Sequence, residues 1–370
     1  MLSAQIMKVA FYPEALNENP YLDLIRKALD GQNVEFIKVN QVFRDVKTFK
    51  SVTAVHFNWY ENISERKRFK AFTEFLWKCS VLLALRISGK RIVWTMHNKQ
   101  VHDSVFNGYN KLITWLFIRL SAVIVIHSKL SSQLLIDQYG KRITKKIHHI
   151  PHPHYINVYG KTVPELRKAE AMPLRLLFLG AVRPYKNIEL LIDVIQNLGD
   201  NVSFTVAGKP LNVNYGKAIT DRCTHLQTVE LRLDFIEDED IPQLMGSHDL
   251  LVLPYDINSS LNSGSVILAA SYGRSVICPE IGTILDFEDQ SCLLTYQYSD
   301  PNDHFDKLTQ AILKAIVLKR EQSDVFVEWG KALYDDVRRN HDEGLISARL
   351  HDVYSGKTQG AKVDDFVKLD

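Results

Sequence analysis

The stretch LRLLFLGAVRPYKNIELLIDVIQNLG (residues 174–199) decides how this chain is read. A short apolar run ends at Gly180 and the chain turns through Pro184. Ile188, Leu191, Ile192, Ile195 and Leu198 then recur at i, i+3, i+4, i+7 and i+10, which is one face of a helix. Strand, turn and helix in that order form the repeating piece of a parallel sheet covered by helices. The alternation continues downstream in strands VSFTVAG and TVELRLDFI, helix DEDIPQLMGS, strand DLLVLPY, helix SGSVILAASYG and strand RSVICPE.

Working upstream, strands MKVAFYP (7–13), VEFIKVN, TAVHFNWY, RIVWTMHN, AVIVIHS and KIHHIPHPH alternate with helices. The helices are NPYLDLIRKALDG, the long ISERKRFKAFTEFLWKCSVLLALRISGK, NGYNKLITWLFIRLS and SSQLLIDQYG. Residues 155–173 are polar, lack a strong apolar period and close at Pro173, so they read as a linker. At 370 residues the chain exceeds what one core usually supports. The expected architecture is α/β, with two doubly wound, Rossmann-like domains (1–160 and 172–335) facing a cleft. A helical segment (336–370) follows, with a helix expected to cross back to the first domain.

Composition narrows the class. The chain is 46% hydrophobic and 24% charged, with a formal charge of +2, which gives no argument for a nucleic-acid partner. Cys79, Cys223, Cys278 and Cys292 are scattered and form no CxxC, as in a reduced cytosolic protein. The start MLSAQIMKVAFYP lacks the pattern of a secretory signal, and no run of ~18 apolar residues appears. The expected location is the cytoplasm, either free or on the inner face of the cell membrane.

Three stretches carry chemistry. In FLGAVRPYKN (178–187), Gly180 ends a strand, and Arg183 and Lys186 precede a helix. A guanidinium, an ammonium and a helix N-terminus suit a diphosphate; the alternative is a solvated turn. In NSSLNSGSVILAASYG (258–273), Ser263, Gly264 and Ser265 open an apolar helix, where free amides could meet phosphate or sugar oxygens or merely cap the helix. In WTMHNKQVHDS (94–104), His97 and Asp103 are candidate proton carriers. His56, His127, His152 and His154 also end or follow strands of the first domain, which suggests a converging polar cluster. No pair has HxxxH spacing, so a metal site is not expected. The helix with Arg66, Lys67, Arg68 and Lys70 interleaved with Phe69, Phe72, Phe75 and Trp77 fits either an interfacial membrane surface or a sheet-covering helix with a solvated basic face.

Together VWTMHN, VIVIHS, IHHIPHPHY, FLGAVRPYK, SFTVAGKP, HDLLVLPY and LNSGSVILAASYGRSVICPEIG resemble the GT-B-fold glycosyltransferases, specifically the nucleotide-sugar-dependent family 4 group. RPYK and WTMHN look like a bacterial branch that builds surface polysaccharides. The resemblance covers most of the chain. It implies a C-terminal domain binding a GDP- or UDP-sugar and an N-terminal domain binding a saccharide or lipid-linked saccharide, with no cofactor or metal. It places Arg183 and Lys186 on the donor diphosphate and His97 beside the transferred sugar. Ser263, Gly264 and Ser265 would supply backbone donors, and the FIEDED segment beginning at Phe235 would cradle the base. NPYLDL and neighbouring loops would shape the acceptor pocket.

One departure stands out. Many family 4 enzymes carry two glutamates eight residues apart around this helix, the second helping to hold the ribose. The equivalents here are about Ser260 and Leu268, and no acidic residue lies in 257–279. Retaining stereochemistry is therefore not carried over. An inverting reaction would need a base, for which His97 and Asp103 are the candidates; a retaining one could use the donor phosphate. Rival readings are a nucleotide-sugar epimerase, a non-catalytic nucleotide-sugar-binding subunit and an NAD enzyme, the last weakened because no GxGxxG follows the first strand of either domain.

Overall fold

The computed structural model describes residues 6–14, 20–63, 65, 67–99, 106–161 and 172–357. The chain packs as two compact units, one made of Met1–Pro153 with His341–Asp370 and the other of His154–Asn340. The sequence reading had put the joints near 160 and 336.

In the first unit β1 (Met7–Tyr12), α1 (Tyr21–Ala28) and β2 (Val34–Lys38) are followed by short helices α2 (Val39–Val42) and α3 (Val46–Ser51). Then come β3 (Val52–Asn58), α4 (Arg68–Ile87), β4 (Arg91–Met96), α5 (Asn107–Leu120), β5 (Val123–Ile126), α6 (Lys129–Tyr139) and β6 (Ile147–His149). All pairings are parallel, in the order β2-β1-β3-β4-β5-β6. β5 is buried along its whole length, as its unbroken apolar run demands when helices cover both faces of a sheet. The long helix starts at Arg68, later than its apolar pattern suggests. Ile63 is instead buried outside any helix, its amide donating to Asn110 Oδ1 at 3.2 Å.

The second unit contains β7 (Leu174–Leu179), α7 (Ile188–Leu198), β8 (Val202–Ala207), α8 (Val213–Cys223), β9 (Val229–Arg232), α9 (Ile241–Ser247) and β10 (Leu250–Val252). It continues through α10 (Gly264–Ser271), β11 (Ser275–Pro279), α11 (Gly282–Leu285), β12 (Leu294–Tyr296), α12 (Pro301–Glu321) and α13 (Val325–Asn340). This sheet is also parallel, in the order β12-β11-β10-β7-β8-β9. On α7, Ile188, Leu191, Ile192, Val194 and Ile195 are fully buried, each worth about 1.5–3 kcal/mol of transfer from water before chain entropy is counted. Helix α8 has no counterpart in the sequence reading. Its buried face is only Gly216, Ile219 and Cys223, too sparse to announce a helix, and Asn212 caps it by accepting from the Tyr215 amide at 2.9 Å.

The supposed linker divides. Its first residues pack into the second unit, the Tyr155 amide donating to Ser271 Oγ (2.9 Å) and the Tyr159 amide to Tyr272 Oη (3.2 Å); residues 162–171 lie outside the described residues. The chain then returns to the first unit as α14 (Glu343–Ser355). Ile346, Leu350, Val353 and Tyr354 of α14 complete that unit's core beside Val9, Leu22 and Ile25.

A buried ion network pins the start of β7. Lys319 of α12, fully buried, pairs with Asp249 and donates to the Pro173 carbonyl at 3.0 Å. Asp249 also accepts from the Arg175 amide (2.8 Å) and Nη2 (3.0 Å). Burial pushes the Asp249 carboxyl up, but hydrogen bonds from Arg175 and Lys319 outweigh it and hold the group below its ordinary range. Asp249→Asn strands a buried ammonium and is expected to cost about 3–5 kcal/mol, measured by urea unfolding at neutral pH. A midpoint unchanged from wild type would show that the network contributes nothing.

Candidate active site

Each sheet reverses its strand order once, between β1 and β3 in the first unit and between β7 and β10 in the second. Ligands of doubly wound sheets bind at the carboxyl ends of strands beside such a reversal. In the second unit that place is built from glycines. Gly180 (φ +137°) follows β7 and Gly208 (φ +145°) follows β8, both in backbone space that side chains rarely enter. A Cβ on Gly208 would fall 2.0 Å from the Gly180 carbonyl oxygen, so the two strand ends meet backbone to backbone. A Cβ on Gly180 would fall 3.1 Å from Lys186 Nζ and 3.5 Å from Ser265 Oγ. An ammonium from one loop and a hydroxyl from the start of α10 thus converge above the missing side chain.

Lys186 ends the 3-10 turn Pro184–Lys186, which Asn187 closes with a left-handed backbone (φ +51°). Asn187 Nδ2 donates to the Pro254 carbonyl (2.9 Å) and the Asp256 amide to the Tyr185 carbonyl (3.2 Å), tying the turn to the exit of β10. The Lys186 side chain is buried, its Nζ 5.5 Å from the Phe178 ring centre and 6.0 Å from that of Tyr255. No carboxylate among the described residues pairs with it. Burial, followed by repulsion from Arg183, pushes its pKa down to about 8. A buried cation without a counter-charge is costly unless an anion completes it. Arg183 is half-buried at the rim, Nη1 donating to the carbonyls of Val182 (3.2 Å) and Lys209 (3.1 Å).

Ser263 is the cap of α10. Its Oγ accepts from the Val266 amide (3.3 Å) and lies 2.9 Å from Tyr255 Oη, while its own amide donates to Thr283 Oγ1 (2.9 Å). These bonds commit Ser263 to holding the helix start. The first-turn amides, which need an outside acceptor, belong to Gly264 and Ser265. Ser260, at the first glutamate position, donates its amide to the Asp256 carbonyl (2.9 Å), and Leu268, at the second, is buried. Phe235 stands on the loop after β9 with 48% of its surface exposed; Leu211 and Val213, after β8, are exposed as well.

In the first unit, strand exits deliver three imidazoles to one place. His97 follows β4, stacked on Trp59 with ring centres 3.8 Å apart, its Nε2–H donating to Asn58 Oδ1 at 3.0 Å. His97, His127 and His152 surround the Tyr21 ring at 5.0, 5.4 and 5.2 Å. His127 donates Nδ1–H to the Ile150 carbonyl (2.8 Å), and its buried Nε2 has no hydrogen-bond partner among the described residues. Burial first, then the neighbouring imidazoles, holds His97 well below its ordinary value, so the ring is neutral at pH 7. His56 is spent on structure, bonding Tyr354 Oη and Thr95 Oγ1 at 2.7 Å each, and His154 falls in the second unit. Asp103 lies outside the described residues. Among those described, no group of three His, Cys, Asp or Glu side chains is disposed to hold a metal ion.

Trp59 and Asn58 were missed in the sequence. The only signal was an aromatic directly after a strand, and Trp59 sits at φ +51°, a strained conformation that turns its ring over His97. Tyr21, within NPYLDL, sits deeper than an acceptor-loop reading implies, as the hub of the imidazole cluster.

Residues 173–316 match the family of glycosyl transferases group 1. The chain is 25% identical over 273 residues to the GDP-mannose:glycolipid 4-beta-D-mannosyltransferase of Xanthomonas campestris pv. campestris, covering 71% of this chain and 70% of that one. The protein is a glycosyltransferase. Among solved structures, the transferase shares its fold with HepE of Anabaena, determined with UDP-glucose (17% identity, TM-score 0.67, 95% of this chain and 100% of that one). It also shares it with a sucrose-phosphate synthase of Thermosynechococcus elongatus (13% identity, TM-score 0.69, 95% and 99%). Two Rossmann-like domains of the GT-B kind are common to all three. Among the described residues of the transferase no helix is long and apolar enough to cross a membrane.

Proposed function

We propose that the transferase moves mannose from GDP-mannose to a lipid-linked saccharide, as a relative of the family 4 enzymes that build bacterial surface polysaccharides. The observation that carries the reading is the buried Lys186 ammonium over Gly180, without a counter-charge among the described residues and beside the open start of α10. The mannosyltransferase relative, named for GDP-mannose and a glycolipid, supports the donor and acceptor classes. In this reading the second unit binds the donor and the first unit the acceptor.

The acceptor hydroxyl oxygen attacks the anomeric carbon, the bond from that carbon to the diphosphate breaks, and GDP leaves with the bonding pair. Lys186, Arg183 and the amides of Gly264 and Ser265 are fixed where negative charge grows, so they need no reorganisation as the bond breaks. These groups supply the positive charge a divalent ion would otherwise bring, and the reaction is read as metal-independent. In an inverting displacement the acceptor proton passes to His97, neutral and oriented by Asn58 and Trp59, or to Asp103. Phe235 and its neighbours are assigned to the guanine.

A thermal-shift series tests the donor site. A ligand that prefers the folded state stabilises by about 2.7 kcal/mol at a hundred times its Kd. GDP-mannose and GDP are expected to stabilise the protein more than UDP-glucose and UDP, with or without EDTA. Arg183→Ala should weaken the shift and Lys186→Ala should abolish it. Wild-type shifts in both variants would remove the diphosphate from this place, and loss of the shift with EDTA would contradict metal independence.

A further inference from the structure

The outer side of α4 and α5 in the first unit is both apolar and cationic. Toward the sheet α4 buries Ala71, Phe75, Val81, Leu82 and Leu85. On its opposite side Phe69 (78% exposed), Phe72, Leu76, Leu83 and Ile87 (86% exposed) follow at i, i+3, i+7, i+14 and i+18, a single stripe, with Trp77 alongside. On α5, Leu112, Trp115 and Arg119 follow at i, i+3 and i+7, and the Arg119 guanidinium lies 5.5 Å from the Trp115 ring centre. The β3–β4 and β4–β5 connections step the same way across a parallel sheet, so right-handed crossovers place α4 and α5 on one face. They pack together there, Phe75 stacked on Tyr109 at 4.7 Å.

The charge around this stripe has one sign. Lys67, Arg68, Lys70 and Arg86 are exposed on or just before α4, and Lys111 and Arg119 on α5. Glu74 is the sole acid on the two helices and already pairs with Lys78 at 2.8 Å. A third cation joins Arg86 and Arg119 at one end, where Lys146 donates to the carbonyls of Ile118 (3.0 Å) and Arg119 (2.9 Å) and feels the repulsion of both guanidiniums. A protein partner of ordinary composition would meet such a rim with matched acids at fixed points. A sheet of anionic headgroups meets it anywhere, with long cationic side chains reaching phosphates while aromatic rings enter the boundary below.

We propose that the α4–α5 face docks on an anionic lipid bilayer, holding the first unit at the surface that carries its acceptor. The proposal deepens the glycolipid reading above, and its test uses neither donor nor acceptor, so the two fail separately. The full chain is sedimented with phosphatidylcholine vesicles and with vesicles enriched in phosphatidylglycerol. Binding is expected to the second kind only, to weaken as salt is raised, and to fall at least about tenfold in the triple variant Phe69→Glu/Trp77→Glu/Ile87→Glu. The melting temperature without ligand should stay at its wild-type value in that variant, which shows that the fold is intact. Should the triple variant fold poorly, Arg68→Glu/Arg86→Glu/Lys111→Glu leaves the apolar stripe in place and should lose the preference for phosphatidylglycerol. No binding of wild type to the anionic vesicles, or undiminished binding by the folded variants, overturns the proposal. So does a concentration-dependent dimer that the triple variant dissolves, because the face then belongs to a second copy of the chain.

Discussion

Replacing Lys186 by alanine is expected to lower kcat/KM for sugar transfer by about 10²–10³-fold, the usual effect of removing one group fixed on charge that grows in the transition state. The stability of the ligand-free protein should move the other way. The buried ammonium, with no counter-charge among the described residues, is desolvated in the resting state, and burial, then Arg183, pushes its pKa down to about 8. Lys186→Met, which keeps the volume and removes the charge, should leave the melting temperature unchanged or raise it while erasing the GDP-mannose shift. That pairing of lost activity with retained or increased stability marks a group held for a ligand and not for the fold. A Lys186→Met protein with wild-type kcat/KM would end the assignment.

Mild acid should destabilise the first unit strongly. Burial is the main cause holding His56 and His127 down at about 3 and His152 at about 4, and it also keeps His97 well below its ordinary value. In the unfolded chain all four titrate near about 6.5. Their folded values are depressed, so their contribution is fully present above that pH. As the pH falls below it, the unfolded state takes up protons that the folded state refuses. Each histidine then removes up to about 1.4 kcal/mol per pH unit, and four acting together up to about 5.5 kcal/mol per unit. Urea midpoints measured from about pH 7 down to about pH 5 should fall steeply, and His56→Gln should flatten the slope by one histidine's share. A midpoint constant over that range would mean that the imidazoles are reached by water.

Much of the fold was legible because buried parallel strands write themselves as apolar runs. IVIHS, LLFLG and VIVI-like segments need no tertiary context to be placed, and the i, i+3, i+4, i+7 face of α7 is plain in its residues. Leu198 at its end is only half-buried, while Val194, one turn earlier and outside the pattern, is fully buried, which periodicity alone does not resolve. What escaped was structure stabilised from outside its own segment. Helix α8 shows three buried residues, one of them a glycine, and Tyr155 and Tyr159 belong to the second unit through a serine and a tyrosine more than a hundred residues away. The site divides in the same manner. Gly180, Lys186 and Ser265 were legible because each sits next to a strand end or helix start. Trp59 and Asn58 were not, because their roles depend on a strained backbone angle and on a partner in the neighbouring strand's loop.

The return of the chain as α14 bears on how the molecule is made. The first unit is discontinuous, since Ile346, Leu350, Val353 and Tyr354 supply part of its core and His56 waits for the Tyr354 hydroxyl. During synthesis the ribosome must therefore complete the whole of the inserted unit before the half begun first can close. A polypeptide halted at residue 340 leaves that earlier half with an open seam over β1 and β3, whereas residues 154–340 carry every strand of their own sheet.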